Sequence, residues 1–167
     1  MDDATRTRLI LEAEGYFELG MEAECQRALA QLLPEDQSRL EVLALRLAIA
    51  MTAKSWTAAA EMAACLVERD PDDAGWWVNY AYCVRRARSV DEAESILLRA
   101  AELHPKVAVI VYNLACYACV TGRLQEARER FVRARKIDKS VEAMALQDED
   151  LFALRDWIEA GDWESAR

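Results

Sequence analysis

Pro71 and Pro105 stand thirty-four residues apart, and the same offset separates Asn79 from Asn113, Ala81 from Ala115, Ala93 from Ala127, Leu97 from Phe131 and Ala100 from Ala134. A fixed period of this size marks stacked supersecondary units, each too small to bury its own apolar face, and it decides fold class before any single residue is weighed. Carried back along the chain, the period defines four units: 6–39, 40–73, 74–107 and 108–141. Their eighth places hold Ala13, Leu47, Ala81 and Ala115, and their twentieth places Cys25, Ala59, Ala93 and Ala127. The twenty-fourth places read Leu29, Ala63, Leu97 and Phe131, and the twenty-seventh Leu32, Leu66, Ala100 and Ala134. All sixteen are small or apolar.

Inside each unit the apolar residues recur at three and four, which predicts two helices with a break between them. Gly20 and Gly122 fall at that break, where a residue free to take positive φ ends the first helix without a Cβ clash. Ser89 followed by Glu92 predicts a capping box opening the second helix of the third unit. Pro71 and Pro105 disfavour helical geometry at Asp70 and His104, so the second helices end just before them. Beyond 141, Ala143, Leu146, Leu151, Leu154 and Trp157 or Ile158 predict one further amphipathic helix, and Gly161 to Ala166 reads as the turn of a further repeat, either a terminal stub or part of a longer array.

Small residues at places eight and twenty, a bulky apolar residue near twenty-four, a small one at twenty-seven and proline at thirty-two make a pattern that resembles the tetratricopeptide repeat (TPR) family. Trp77 and the turn Gly122-Arg-Leu-Gln-Glu-Ala127 are especially similar to it, while Lys54 and Arg88 depart from it by replacing the turn glycine. The resemblance implies an all-α fold: a right-handed helical-hairpin solenoid of four TPR units plus a C-terminal capping helix, in a single domain spanning 1–167, with capping helix and stub over 142–167.

With 53% apolar residues, three prolines and five glycines, the chain is neither disordered nor collagen-like. A formal charge of −9 repels phosphate backbones and anionic lipid heads, so no nucleic acid and no membrane surface is expected as a partner. The longest apolar run, Val107 to Val120, is interrupted by Asn113 and is too short for a bilayer. Met1 to Thr7 is acidic and polar, unlike a secretory leader, and a cytoplasmic protein is expected. Five cysteines inside apolar helical stretches suit reduced, buried thiols.

No constellation for catalysis emerges. Cys116 and Cys119 form a Cys-x-x-Cys without a second pair, and the only histidine, His104, lies at the end of another helix, so neither a metal site nor a redox couple is expected. Phosphate loops, nucleophile elbows and His-Glu-x-x-His are missing from the sequence. Carboxylate pairs such as Glu14 and Glu18, or Asp148 to Asp150, read as solvated faces. The expected protein is not an enzyme and takes no cofactor.

What the TPR resemblance implies instead is a concave groove lined by the first helices, gripping a peptide segment of a partner protein. Its lining would include Phe17, Met51, Asn79, Tyr82, Arg85, Arg86, Tyr112, Asn113 and Cys116. Aromatic and methionine side chains suit an apolar or amphipathic peptide, and asparagine amides pair with its backbone. Asn79 and Asn113 match the asparagines with which some family members hold a C-terminal carboxylate, but the second places hold Thr7, Glu41, Gly75 and Val109 rather than cations, leaving Arg85 and Arg86 as the only substitutes. The overall charge favours neutral or basic partners. Two other readings stand beside this adaptor or scaffold. Small acidic repeat proteins resemble bacterial secretion chaperones that hold apolar segments, and a homo-oligomeric module joined through the C-terminal end would use an exposed Trp163.

Overall fold

The computed structural model describes residues 1–161 and Trp163; most of the turn expected after Gly161, at 162 and 164–167, lies outside the described residues. Among the described residues, ten α-helices and two 3-10 segments make up the fold, with no strand. Packing divides the chain into two compact units, one ending at Pro71 and one running from Asp72.

The first unit holds α1 (Asp3–Glu18), α2 (Glu22–Ala30), α3 (Leu40–Thr52) and α4 (Trp56–Arg69), with a short 3-10 turn at Asp36–Ser38. Joined by turns of three residues, α1 and α2 pack together as one hairpin and α3 and α4 as another. Leu9, Ile10 and Ala13 of α1 meet Cys25, Ala28 and Leu29 of α2 and Val42, Leu45 and Ile49 of α3 in one core, with Tyr16 and Phe17 against it. Gln37 ties the α2–α3 connection down by donating to the carbonyls of Leu29 at 2.9 Å and Leu32 at 3.0 Å.

The second unit holds α5 (Ala74–Ala87), α6 (Val90–Leu103), α7 (Ala108–Val120), α8 (Leu124–Ile137), α9 (Val141–Ala145), a 3-10 segment at Glu149–Leu154 and α10 (Arg155–Ala160). Here α5 pairs with α6 and α7 with α8, while α7 also packs against α5, α6, α9 and the 3-10 segment. Covered on several sides, α7 buries nine of its residues, which is why it is apolar all round instead of along one stripe. A polar knot closes the unit: Glu94 of α6 receives Arg123 at 2.6 and 3.0 Å and Arg130 at 2.6 Å, and Arg130 also donates to the carbonyl of Leu114 at 2.9 Å. Burial acts to raise the pKa of Glu94, but the two guanidiniums overcome it and hold the carboxyl below its ordinary value.

The period has a physical counterpart in both units. Helices α2, α4, α6 and α8 begin at Glu22, Trp56, Val90 and Leu124, each thirty-four residues after the last. All sixteen residues at the four aligned places are buried, none more than 5% exposed.

Turn geometry follows residue type. Gly20 and Gly122 take φ of 71° and 80°, and Met21 and Arg123 donate back five residues to Tyr16 and Ala118, the bonds of a Schellman end. Lys54 adopts the same left-handed conformation at φ 55°, with Ser55 donating to Ala50, although it carries a Cβ. Arg88 does not: at φ −138° it leads straight into Ser89, whose side chain accepts the Glu92 N–H at 3.2 Å, shortening the connection to two residues. Ahead of Pro71 and Pro105, Asp70 and His104 leave the helical region as expected.

The C-terminal segment corrects the expected single capping helix. It breaks into α9, the 3-10 segment and α10, because Asp148 turns out of helical geometry and its side chain accepts the Asp150 N–H at 3.0 Å in competition with a helical bond. Leu151, Leu154 and Ile158 still reach the core. Trp163, expected to be exposed, is partly buried, its ring 5.6 Å from Phe131 and 5.3 Å from Trp157 with Arg135 stacked above it. Among the described residues no helix is long and apolar enough to cross a membrane.

Candidate functional site

The candidate residues fall into two groups, one in each unit. In the first unit Phe17 is partly buried and lines a depression of about 270 Å³ with Glu18, Gly20, Glu22, Ile49 and Thr52. Met51 is partly buried on α3, outside that lining. A broader depression of about 650 Å³ is lined by Asp3, Ala4, Thr7, Arg8, Leu11 and Glu12, all on α1.

The richer chemistry lies in the second unit, where the end of α5 meets the middle of α7. Tyr82 and Arg86 are four apart and therefore share a helix face, and the Arg86 guanidinium sits 3.4 Å from the centre of the Tyr82 ring. Arg85 points to the neighbouring face, its guanidinium 5.2 Å from the centre of the Tyr117 ring. On α7, Tyr112 and Cys116 are likewise four apart and both buried. Arg85, Arg86 and Tyr112 line one depression of about 460 Å³, together with Met144 of α9 and Gln147, Asp148, Glu149 and Asp150.

Those last residues close the site chemically. Arg85 grips Asp150 with both guanidinium nitrogens, one of them at 2.8 Å, in the paired geometry that matches a carboxylate. The Tyr112 hydroxyl donates to Asp148 Oδ2 at 2.7 Å, and Cys116 Sγ approaches the same oxygen at 3.6 Å. Burial, reinforced by Asp148, pushes the Tyr112 hydroxyl and the Cys116 thiol well above their ordinary pKa, so both stay protonated and act as donors. Burial also lifts Tyr117 to about 12. Cys116, Asp148 and Asp150 bring one ligand atom each within 4.8 Å of one another, and Arg85 pairs with Asp150 in this cluster.

The asparagines are placed differently. Asn113 donates to the Val109 carbonyl of its own helix at 2.8 Å, which ties its amide to local backbone. Asn79 is partly buried on α5 and does not line the depression. Cys116 and Cys119 are both free, buried thiols on α7.

Sequence reasoning missed the part played by Asp148 and Asp150, which it read as solvated. The available signal was the spacing from Leu146 to Leu151: five residues, where a continuous helix needs three or four, with Gln-Asp-Glu-Asp between them. No protein-family model matches the chain, and the curated proteins yield no match either.

Proposed function

We propose that the chain is a tetratricopeptide-type repeat array whose helix pairs are the repeats, and that it acts without catalysis by binding a segment of a partner protein. The observation that carries this reading is the convergence of Arg85, Arg86 and Tyr112, from the first helices of two successive hairpins, around one open depression, with Tyr82 stacked against Arg86 beside it. Recurrence of the second helices at thirty-four residues, with every aligned place buried, supports the repeat reading. Arginine and tyrosine are the residue types that anchor protein interfaces: both combine a broad flat surface with a directed hydrogen bond.

The test uses affinity capture from the native cell, comparing the wild-type chain with a Tyr82→Ala, Arg86→Ala variant. Both side chains are exposed, so the variant keeps its helical circular dichroism. Loss of the captured protein supports the groove. Capture at wild-type level by a folded variant rules it out.

A further inference from the structure

One wall of the second unit's depression is built by the chain's own segment from Gln147 to Asp150. Between Ala145 and Leu151, both fully buried, five residues bow outward and leave Leu146, Gln147 and Glu149 exposed. Only two groups of this bow reach back: the carboxylates of Asp148 and Asp150, one residue apart, with Glu149 between them turned to solvent. A loop that merely capped the unit would hold on through apolar side chains. This one holds through two carboxylates placed on an arginine fork and a tyrosine hydroxyl, the donors that would recognise carboxylates on any other chain.

We propose that the Asp148–Asp150 bow is an intramolecular competitor for the groove, and that the partner segment displacing it is acidic, with two carboxylates one residue apart. The inference rests on the groove reading above and adds its regulation and the chemistry of its ligand. A neutral or basic segment entering here leaves Arg85 without a counter-charge inside a partly buried site, so it does not replace the bow. The bow itself is exchangeable. Arg85 and Asp150 keep about a quarter of their side-chain surface in water (25% and 27%), and the buried Ala145 and Leu151 anchor the segment on either side of residues 146–150. Arg86 lines the same depression, its guanidinium stacked on the Tyr82 ring.

Tethering sets the size of the effect. A loop joined by a few residues to its own site competes at an effective concentration on the order of millimolar, so removing its carboxylates strengthens an external acidic ligand by about tenfold or more.

The experiment measures fluorescence anisotropy of a labelled peptide with the chain's own sequence from Met144 to Phe152, using the full chain as wild type and as Asp148→Asn, Asp150→Asn. The expected result is binding at least about tenfold tighter to the double variant, lost when Arg85→Ala is added or when both peptide aspartates become asparagine. Equal affinity for wild type and a folded double variant, or no binding to it, overturns the proposal. Should the double variant fail to fold, hydrogen exchange on the wild type decides. A millimolar excess of peptide should speed exchange of the amides from Asp148 to Leu151 and leave α7 and α8 unchanged, and unaltered exchange in that segment overturns the idea. The two readings separate cleanly. If partner capture is lost in the Tyr82, Arg86 variant but the peptide ignores Asp148 and Asp150, the groove stands and the competitor falls; capture indifferent to the groove variant removes the groove itself.

Discussion

Replacing Glu94 by alanine tests the polar knot of the second unit. Its carboxylate is about 10% exposed and accepts three guanidinium hydrogen bonds, two from Arg123 and one from Arg130. Bonds to charged groups contribute about 1.5–3 kcal/mol each when buried, which would give roughly 4–9 kcal/mol if all three were deep. They are not equally deep. Arg123 is 39% exposed and rehydrates when released, whereas Arg130 is 16% exposed but keeps Glu126 and the Leu114 carbonyl. Removing one partner of a fully buried pair costs about 3–5 kcal/mol, and the partial solvation here brings the expected loss to about 3 kcal/mol. Urea unfolding followed by circular dichroism at 222 nm checks this: with a slope of about 2 kcal/mol per molar, the midpoint falls by about 1.5 M. The sign with pH follows from the lowered carboxyl. In the folded state Glu94 titrates below its ordinary 4.5, so its contribution is complete above pH 4.5 and is lost as pH falls through the lower folded value. The gap between wild type and variant should therefore narrow on acidification. A loss under about 0.5 kcal/mol at neutral pH, or a gap that widens in acid, would refute the reasoning.

Turn geometry and thiol burial offer two further checks. Lys54→Gly should raise stability by about 0.5–1 kcal/mol, because relief at φ 55° outweighs the entropy of glycine, while Gly122→Ala at φ 80° should lower it by about 1 kcal/mol; both are read from urea midpoints, and equal effects of the same sign would contradict the strain account. With a thiol-specific disulfide reagent at pH 8, partly exposed Cys65 should react first, since burial raises the pKa of Cys25, of Cys83 to about 11, and of Cys116 and Cys119; rapid release of several equivalents from the native chain would contradict it.

The repeat spacing was legible because burial repeats. Ala13, Ala81 and Ala115, or Leu29, Leu97 and Phe131, are completely buried at matching places, so close packing limits which residues each place accepts. Glycine at positive φ is equally legible, since the steric rule belongs to the residue itself. Lys54 shows where that legibility stops: three neighbouring backbone bonds impose a left-handed residue on a side chain that does not prefer it. The site was half visible. Arg85, Arg86 and Tyr112 are named by the repeat resemblance, but the carboxylates that bond Arg85 and Tyr112 are not, because Asp148 and Asp150 come from a break in a pattern and find partners 36 and 65 residues earlier. Asn113 makes the same point in reverse. Its register suits a ligand, yet its amide bonds the carbonyl four residues back, a local choice that composition cannot reveal.

Net charge and site chemistry pull in opposite directions here, and their ranges decide which governs what. The charge of −9 acts through a field screened over about 8 Å at physiological salt, so it governs how often an acidic segment approaches. The Arg85 fork acts at hydrogen-bond distance in a partly buried site, where screening is weak, so it governs what stays. In the proposed groove the chain's own carboxylates resolve this conflict within the molecule: tethering holds them beside Arg85 and Tyr112, so they need no encounter against the field. An external acid gains the same contacts only after crossing a repulsive field and displacing a tethered rival. Such a groove rejects isolated carboxylates and responds to a segment that presents two at once, which makes spacing, more than charge, the basis of its selectivity.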